Sequence, residues 1–283
     1  MLPPSLLLDR MLENWIAEDL GRGDRTTAGI LEGRDRIERA RWIAKETGVI
    51  AGLPVAARVF QLLDRSARFT PLVVEGDAIV SGNSIAEIEG SLSALLMGER
   101  VALNLVMRLS GIAGATRRYA DKIADLPAKL VDTRKTTPGL RILEKYASRV
   151  GGAINHRIGL DDAVMIKDNH IQAAGSVSEA VRRVRQTMPY PLTIEVETGN
   201  LAEVREALAS GVEIIMLDNM DRETTREAVQ IIRDFSKSTK IEASGNITLD
   251  TIRSVAETGV DYISTSAPIT RSSWLDLSMK IGL

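Results

Sequence analysis

The chain has 283 residues, 44% hydrophobic, 26% charged and 4% aromatic, with 36 Lys plus Arg against 38 Asp plus Glu. That composition excludes fibrous and disordered classes, and a net charge of -2 gives no basic surface for duplex nucleic acid. No cysteine means no disulfide, thiolate metal site or cysteine nucleophile, and two histidines, His156 and His170, leave little for a multi-histidine metal centre. No uncharged run approaches the ~18 residues of a membrane helix, and the apolar patch near the N-terminus is too short for a secretory core. A globular, cytoplasmic protein with neither membrane nor nucleic-acid partner is expected.

Residues 1 to about 40 read as helical, with Leu6, Leu7, Met11, Trp15 and Ile16 near helical spacing and a break at Glu18-Asp-Leu-Gly-Arg-Gly-Asp24. Over 41–90 the period changes to that of a small sheet domain, with strands near 42–51, 78–80 and 85–89 separated by glycine turns. Glu75-Gly-Asp-Ala-Ile-Val-Ser-Gly82 also occurs in swinging-arm carrier domains. A carrier needs a lysine on a hairpin tip, and residues 66–98 contain none. Residues 91–124 give the strongest helical segment, with Arg100, Asn104 and Arg108 stacked on one side. That stripe either meets water or forms ion pairs, or it is a cationic row facing a domain interface or an anionic ligand.

From residue 129 short apolar strands alternate with helices, at 130–131, 153–154, 164–166, 193–196, 213–217, 240–243 and 261–264. Asn200 with Glu203 and Ser176 with Glu179 have capping-box spacing, and Gly211 and Gly259 sit where helices should stop. A repeat supports the division: Ile194-Glu-Val-Glu-Thr-Gly-Asn200, a helix and Gly211-Val-Glu-Ile-Ile215 return 47 residues later as Ile241-Glu-Ala-Ser-Gly-Asn246, a helix and Gly259-Val-Asp-Tyr-Ile263. Repeated βα units close most simply into a parallel α/β barrel. An open doubly wound sheet is the alternative, but no G-x-G-x-x-G follows any strand.

Barrel chemistry sits at the C-terminal ends of the strands. Those ends carry Asp132-Thr-Arg-Lys135, Asn155-His-Arg157, Lys167-Asp-Asn-His170, Glu195 to Glu197, Asp218-Asn219, Ser244-Gly-Asn246 and Ser264-Thr-Ser-Ala267. Arg134, Lys135, His156, Arg157 and Lys167 in one mouth call for anionic company, since an unpaired buried charge costs several kcal/mol. Glu197 and Asp218 suit a divalent metal through phosphate oxygens, or sugar hydroxyls. The turns at Ser244-Gly245 and Ser266-Ala267 occupy the usual phosphate position of late βα turns. The site thus reads as taking two polyanions, one of them phosphorylated. Local readings compete: Asp132 and Asp162 neutralising Arg134 and Arg157, His170 bonding backbone after its strand, and Lys167 as a Schiff-base lysine.

Asp132-Thr-Arg-Lys-Thr-Thr-Pro-Gly-Leu-Arg141, Asn155-His-Arg-Ile-Gly-Leu160 and Ile166-Lys-Asp-Asn-His-Ile171 resemble the signatures of the quinolinate phosphoribosyltransferases. The likeness extends collinearly through 18–24, Gly98-Glu-Arg100, Leu109-Ser-Gly-Ile112, Glu195-Val-Glu197, Leu217-Asp-Asn-Met220 and Glu242-Ala-Ser-Gly245. The resemblance implies an α/β fold, an N-terminal α/β sandwich (1–112, with the tail 272–283 packing on it) plus an incomplete TIM-like barrel (113–271). It implies a decarboxylating transfer from phosphoribosyl pyrophosphate to quinolinate, with Mg2+, in a homodimer or higher assembly whose subunits share the active site.

By match, Arg134, His156, Arg157 and Lys167 bind the quinolinate carboxylates, Lys135 lies near the phosphates, Thr133 belongs to the substrate-binding set, and Arg100 reaches into the partner's site. Glu197 and Asp218 hold the ribose hydroxyls and the metal-bound pyrophosphate, and Ser244, Gly245, Asn246, Ser266 and Ala267 line the 5-phosphate pocket. The implied catalytic set is Lys135, Lys167, Glu197 and Asp218. Two positions depart from the family: Asn246 replaces a usual glycine, and Pro268 follows Ser266-Ala267 where a leucine is usual. Asn tolerates left-handed backbone, whereas Pro268 has no N–H to offer phosphate. Its rivals are a paralogue with another anionic acceptor, a Lys167 lyase and a catalytically silent binding protein.

Overall fold

The computed structural model describes residues 2–282. In chain order its elements are α1 (Ser5–Leu20), α2 (Arg25–Leu31), β1 (Ile37–Ala44), β2 (Gly48–Val49), α3 (Leu53–Leu63), β3 (Arg68–Pro71), β4 (Ala78–Ile79), β5 (Ser84–Ser91) and α4 (Leu92–Asp121). There follow β6 (Lys129–Val131), α5 (Arg141–Val150), β7 (Val164–Ile166), α6 (Asp168–Ala174), α7 (Val177–Thr187), β8 (Ile194–Thr198) and α8 (Leu201–Ala209). The last are β9 (Ile214–Asp218), α9 (Arg222–Phe235), β10 (Lys240–Ser244), α10 (Ile252–Ala256), β11 (Tyr262–Ser264), α11 (Ala267–Thr270) and β12 (Leu277–Ile281). None of the helices among the described residues is long and apolar enough to cross a membrane.

Two compact units form. The first comprises the chain up to Arg117, Ile142–Gly151 and the segment from Arg271 onward. Its antiparallel sheet has the order β12-β1-β5-β3. Along β1, Ala40, Trp42 and Ala44 are buried, while Arg39 and Arg41 pair across the strand with Glu89 and Glu87. This two-residue alternation gives the sheet one apolar face. On that face Trp42, Phe60 of α3 and Phe69 of β3 meet with ring centroids 5.6 to 6.3 Å apart.

The helical expectation to residue 40 is corrected here. Glu32 and Gly33 take positive φ (46° and 75°), ending α2, and β1 starts at Ile37. The all-sheet reading of 41–90 also missed α3 (Leu53–Leu63), whose outer face carries only Arg58 and Gln61 after Pro54 while Val55, Ala56, Val59 and Phe60 are buried. A distant residue starts this helix: Glu75 accepts from the Gly52 and Leu53 N–H groups and from the Tyr146 hydroxyl.

The units differ from the expected boundaries at 112/113 and 271/272, chiefly in sorting α5 with the first. Buried Glu144 accepts from Arg108 at 2.7 Å, the contact that absorbs one member of the polar stripe. The C-terminal strand β12 pairs with β1.

The second unit, Arg118–Arg141 and Gly152–Thr270, is a parallel sheet of order β6-β11-β10-β9-β8-β7. Consecutive strands β7 to β11 are neighbours, and β11 returns to pair with β6, first strand to last, as a barrel requires. Ile154 bridges Val131 in parallel beyond β6, and among the described residues no ladder joins it to β7, so the barrel is incomplete.

Strand alternation divides this unit. Ile194, Val196, Ile215, Leu217, Ile241, Ala243 and Ile263 join the aliphatic core beneath the helices. Glu195, Glu197, Asp218, Glu242, Ser244 and Ser264 fall on the other, inward parity. A barrel interior filled by branched aliphatics is the usual solution, and here the interior is acidic and hydroxylic. The predicted caps hold: Asn200 accepts from Glu203 N–H and Ser176 from Glu179 N–H.

Candidate active site

Asp132, 2% exposed at the end of β6, organises the neighbouring strand end. Its carboxylate accepts from Asn155 Nδ2 (2.6 Å) and from the His156 backbone N–H (2.9 Å). The reading of Asp132 as local neutraliser of Arg134 therefore gives way to one in which it fixes the turn carrying His156 and Arg157. Asp162 is likewise occupied, accepting from Ile158 N–H at 2.8 Å.

His156 Nδ1 accepts the Arg157 N–H at 2.7 Å, so the ring proton sits on Nε2, 3.0 Å from Glu195 Oε2 and 3.7 Å from Glu242 Oε2. Both ring nitrogens thus have protein partners. Glu195 and Glu242, each 4% exposed, occupy equivalent places in the 47-residue repeat and converge on the same imidazole. Burial, then the neighbouring Glu195, push the Glu242 carboxyl well above the ordinary carboxylate range, against the pull of His156. The sequence reading did not single out Glu242. The repeat held the signal, an acid directly after the isoleucine that opens each repeat unit, but nothing linear says that two such acids share a histidine.

Above this floor lie the cations. Arg157 donates to the Ala163 carbonyl at 2.9 Å, and its pKa is lowered by burial and then by Arg134, with Glu195 opposing. Arg134 Nε is buried with no hydrogen-bond acceptor among the described residues. Two guanidinium groups that repel one another, one with an orphaned donor, have the chemistry to take a planar anion. Lys135 is exposed, its N–H held by Thr133 Oγ1 at 3.0 Å.

Lys167 Nζ pairs with Glu197 Oε2 at 2.9 Å. An ammonium held by a carboxylate is a poor Schiff-base nucleophile, so this pairing weighs against the lyase reading. His170 Nδ1 accepts the Lys167 N–H at 3.0 Å and so works at the start of α6. Asp218 ends β9, its Oδ2 accepting from Asn219 Nδ2 at 2.8 Å. After β10, Ser244 and Gly245 are half-buried and Asn246 is exposed, with Gly245 and Asn246 at positive φ (97° and 50°). Ser266 and Ala267 open the short α11, where the Ala267 N–H already reaches Thr265 Oγ1 at 3.3 Å.

Two acidic groups of donors could hold a cation. Glu197 and Asp218 end adjacent paired strands and offer hard oxygen ligands. His156, Glu195 and Glu242 bring three ligand atoms within 4.8 Å of one another, a set already joined by the hydrogen bond to Glu195. Arg100, in the first unit, is exposed and has no hydrogen-bond or ion-pair partner among the described residues.

Residues 24–110 match the profile of the quinolinate phosphoribosyl transferase N-terminal domain, and 112–280 that of the C-terminal domain. The chain is 62% identical over 280 residues to a probable carboxylating nicotinate-nucleotide pyrophosphorylase of Synechocystis, covering 99% of this chain and 94% of that protein. A Bacillus subtilis protein of the same description is 44% identical over 282 residues, covering 98% and 94%. The solved structure of NadC from Streptococcus pyogenes superposes with a TM-score of 0.93 at 42% identity, covering 100% of this chain and 99% of that one.

Proposed function

Because the chain belongs to the quinolinate phosphoribosyltransferase family, we propose a residue-level account of how it performs that family's reaction. The enzyme transfers the phosphoribosyl group of phosphoribosyl pyrophosphate to quinolinate, giving nicotinate mononucleotide, pyrophosphate and carbon dioxide in de novo NAD biosynthesis. The observation carrying the assignment of roles is the orphaned, buried Arg134 Nε beside the Arg157 guanidinium.

In this account Arg134, Arg157 and Lys167 take the two quinolinate carboxylates and hold the pyridine nitrogen toward the anomeric carbon. His156, with both ring nitrogens engaged, serves as the floor that sets the Arg157 backbone. Glu197 and Asp218 hold the ribose hydroxyls and stabilise positive charge as the C–O bond to pyrophosphate breaks. Lys135, with Thr133, faces the phosphates, and the turns at Ser244-Gly245-Asn246 and Ser266-Ala267 receive the 5-phosphate. Magnesium fits the hard oxygens of Glu197 and Asp218 and, when bound with pyrophosphate, supplies charge neutralisation to the leaving group.

Attack by the ring nitrogen makes the new N–C bond and releases pyrophosphate. The cationic ring nitrogen then stabilises the electron pair left on the adjacent carbon as its carboxylate departs as carbon dioxide, and that carbon takes a proton. No side chain need act as nucleophile. Exposed, unpartnered Arg100 supports a site completed by a second subunit, so the working form is a homodimer or a larger assembly, which we place in the cytoplasm.

The test is release of carbon dioxide and nicotinate mononucleotide from the two substrates, with and without magnesium. Magnesium-dependent formation of both in equal amounts is expected. Full turnover in chelator removes the metal role, and one product without the other removes the coupled mechanism.

A further inference from the structure

The turns that follow β9 and β10 are joined by a chain of amides. Asn219 and Asn246 both hold left-handed backbone, with φ 54° and 50°. The Asn219 N–H donates to the Ser244 carbonyl at 2.9 Å, and its side-chain Nδ2 donates to Asp218 Oδ2 at 2.8 Å. Its Oδ1 accepts from Asn246 Nδ2 at 3.1 Å. Gly245 lies directly against this amide, since a Cβ there would come within 2.2 Å of Asn219 Oδ1. The polarity of the chain is fixed at its far end. Turned over, the Asn219 amide would set its oxygen against the acceptor-only Asp218 carboxylate, a mismatch in place of a hydrogen bond. Asp218, which can only accept, therefore fixes which end of Asn219 faces it, and the Asn246 amide holds Asn219 in that place from the other side.

We propose that Asn219, held in orientation by the side chain of Asn246, is a positioning residue that aims Asp218 at the phosphoribosyl donor. The inference rests on the assignment of Asp218 to the donor's ribose and pyrophosphate. With Oδ2 held, the carboxylate keeps one rotamer and leaves Oδ1 without a protein partner among the described residues. A phosphate settling in the turn at 244–246 and a ribose on Asp218 are then linked through Asn219. The two ends of one substrate report to each other through two side chains, and quinolinate does not enter the chain of contacts.

Asn246→Gly isolates the effect, because glycine accepts the left-handed turn and keeps the backbone N–H while deleting the amide. Measured quantities are the KM for each substrate, kcat, and the calorimetric Kd of phosphoribosyl pyrophosphate with magnesium. One net hydrogen bond corresponds to about a 3- to 10-fold rise in the donor's KM and Kd, with the quinolinate KM within about twofold. Asn219→Gly should give a rise of the same size, and the double variant no more than either alone. An unchanged donor Kd in Asn246→Gly overturns the relay. Effects that multiply in the double variant overturn it too, since they place Asn246 on the ligand independently of Asn219. Asp218→Asn checks the premise separately. Unaltered donor affinity there removes the assignment of Asp218 and the inference with it, whereas weakened affinity there but not in Asn246→Gly removes only the relay.

Discussion

Floor and rim of the barrel mouth are built from the same residue types and hold them differently. On the floor Asp132, Glu195 and Glu242 are 2 to 4% exposed, and each ends on Asn155, His156 or one another. On the rim Lys167 is 44% exposed in its pair with Glu197, and Asp218, Asn219 and Asn246 meet solvent. Charges withdrawn from water cost several kcal/mol unless paired, so floor contacts are tied to the fold itself. Rim pairs lie in high dielectric, contribute little to stability, and exchange partners cheaply when a ligand arrives. The same carboxylate thus becomes scaffold or ligand-binding group according to its depth.

Substitutions separate the two layers. The largest effect is expected from Arg157→Ala, which removes one arm of the anion receptor: kcat/KM should fall by roughly a hundredfold or more. Its melting temperature should change little, because losing the hydrogen bond to the Ala163 carbonyl is offset by relief of the repulsion from Arg134. Mixing Arg157→Ala with equally inactive Arg100→Ala should restore part of the turnover, and no rescue would count against a site shared between subunits.

Next comes His156→Ala, which deletes the shared donor and leaves two buried carboxyl groups facing each other. A loss of about 1–3 kcal/mol in chemical denaturation is expected, with Glu242→Gln in the same chain recovering part of it. A fully stable His156→Ala protein would show that the floor is not scaffold.

The pH dependence of Glu242→Gln is a finer test. The folded protein raises this carboxyl above its ordinary value of 4.5, so it binds that proton more tightly than the unfolded chain does. The resulting stability is complete below the ordinary carboxylate range and is lost as pH rises through the folded value. Glutamine cannot ionise, so the variant should gain on the parent in melting temperature from about pH 5 to pH 8, with the gap smallest near about pH 4. A gap independent of pH would remove the charge conflict with Glu195.

The smallest change in stability belongs to Glu197→Gln, under about 1 kcal/mol, since the Lys167 end of the pair is open to solvent and glutamine still accepts its hydrogen bond. Its donor KM should nevertheless rise. A variant that unfolds more easily but binds the donor normally would move Glu197 from the rim to the floor.

The sequence made the barrel legible because its strands are short, its caps are regular and its interior acids recur with the repeat. It was less informative in the first unit. There the polar face of α3 is reduced to Arg58 and Gln61, and Glu75 caps the helix from a loop 22 residues away. The residues of the mouth were visible as strand-end charges, but the pairing of Lys167 with Glu197 was not. Asp132 likewise shows in sequence as a neighbour of Arg134, while its actual partners lie 23 and 24 residues on.

By itself the sequence determined the alternation that places aliphatic residues outward and acids inward, and the family to which those strand ends belong. Alternation and capping are local, set within a few residues by backbone geometry. Tertiary structure alone decided that Glu195 and Glu242 share one imidazole, that Arg134 lacks an acceptor, and that Asn246 reaches Asp218 through Asn219. Those are properties of distance and burial between segments 23 to 86 residues apart, and no linear pattern sets them.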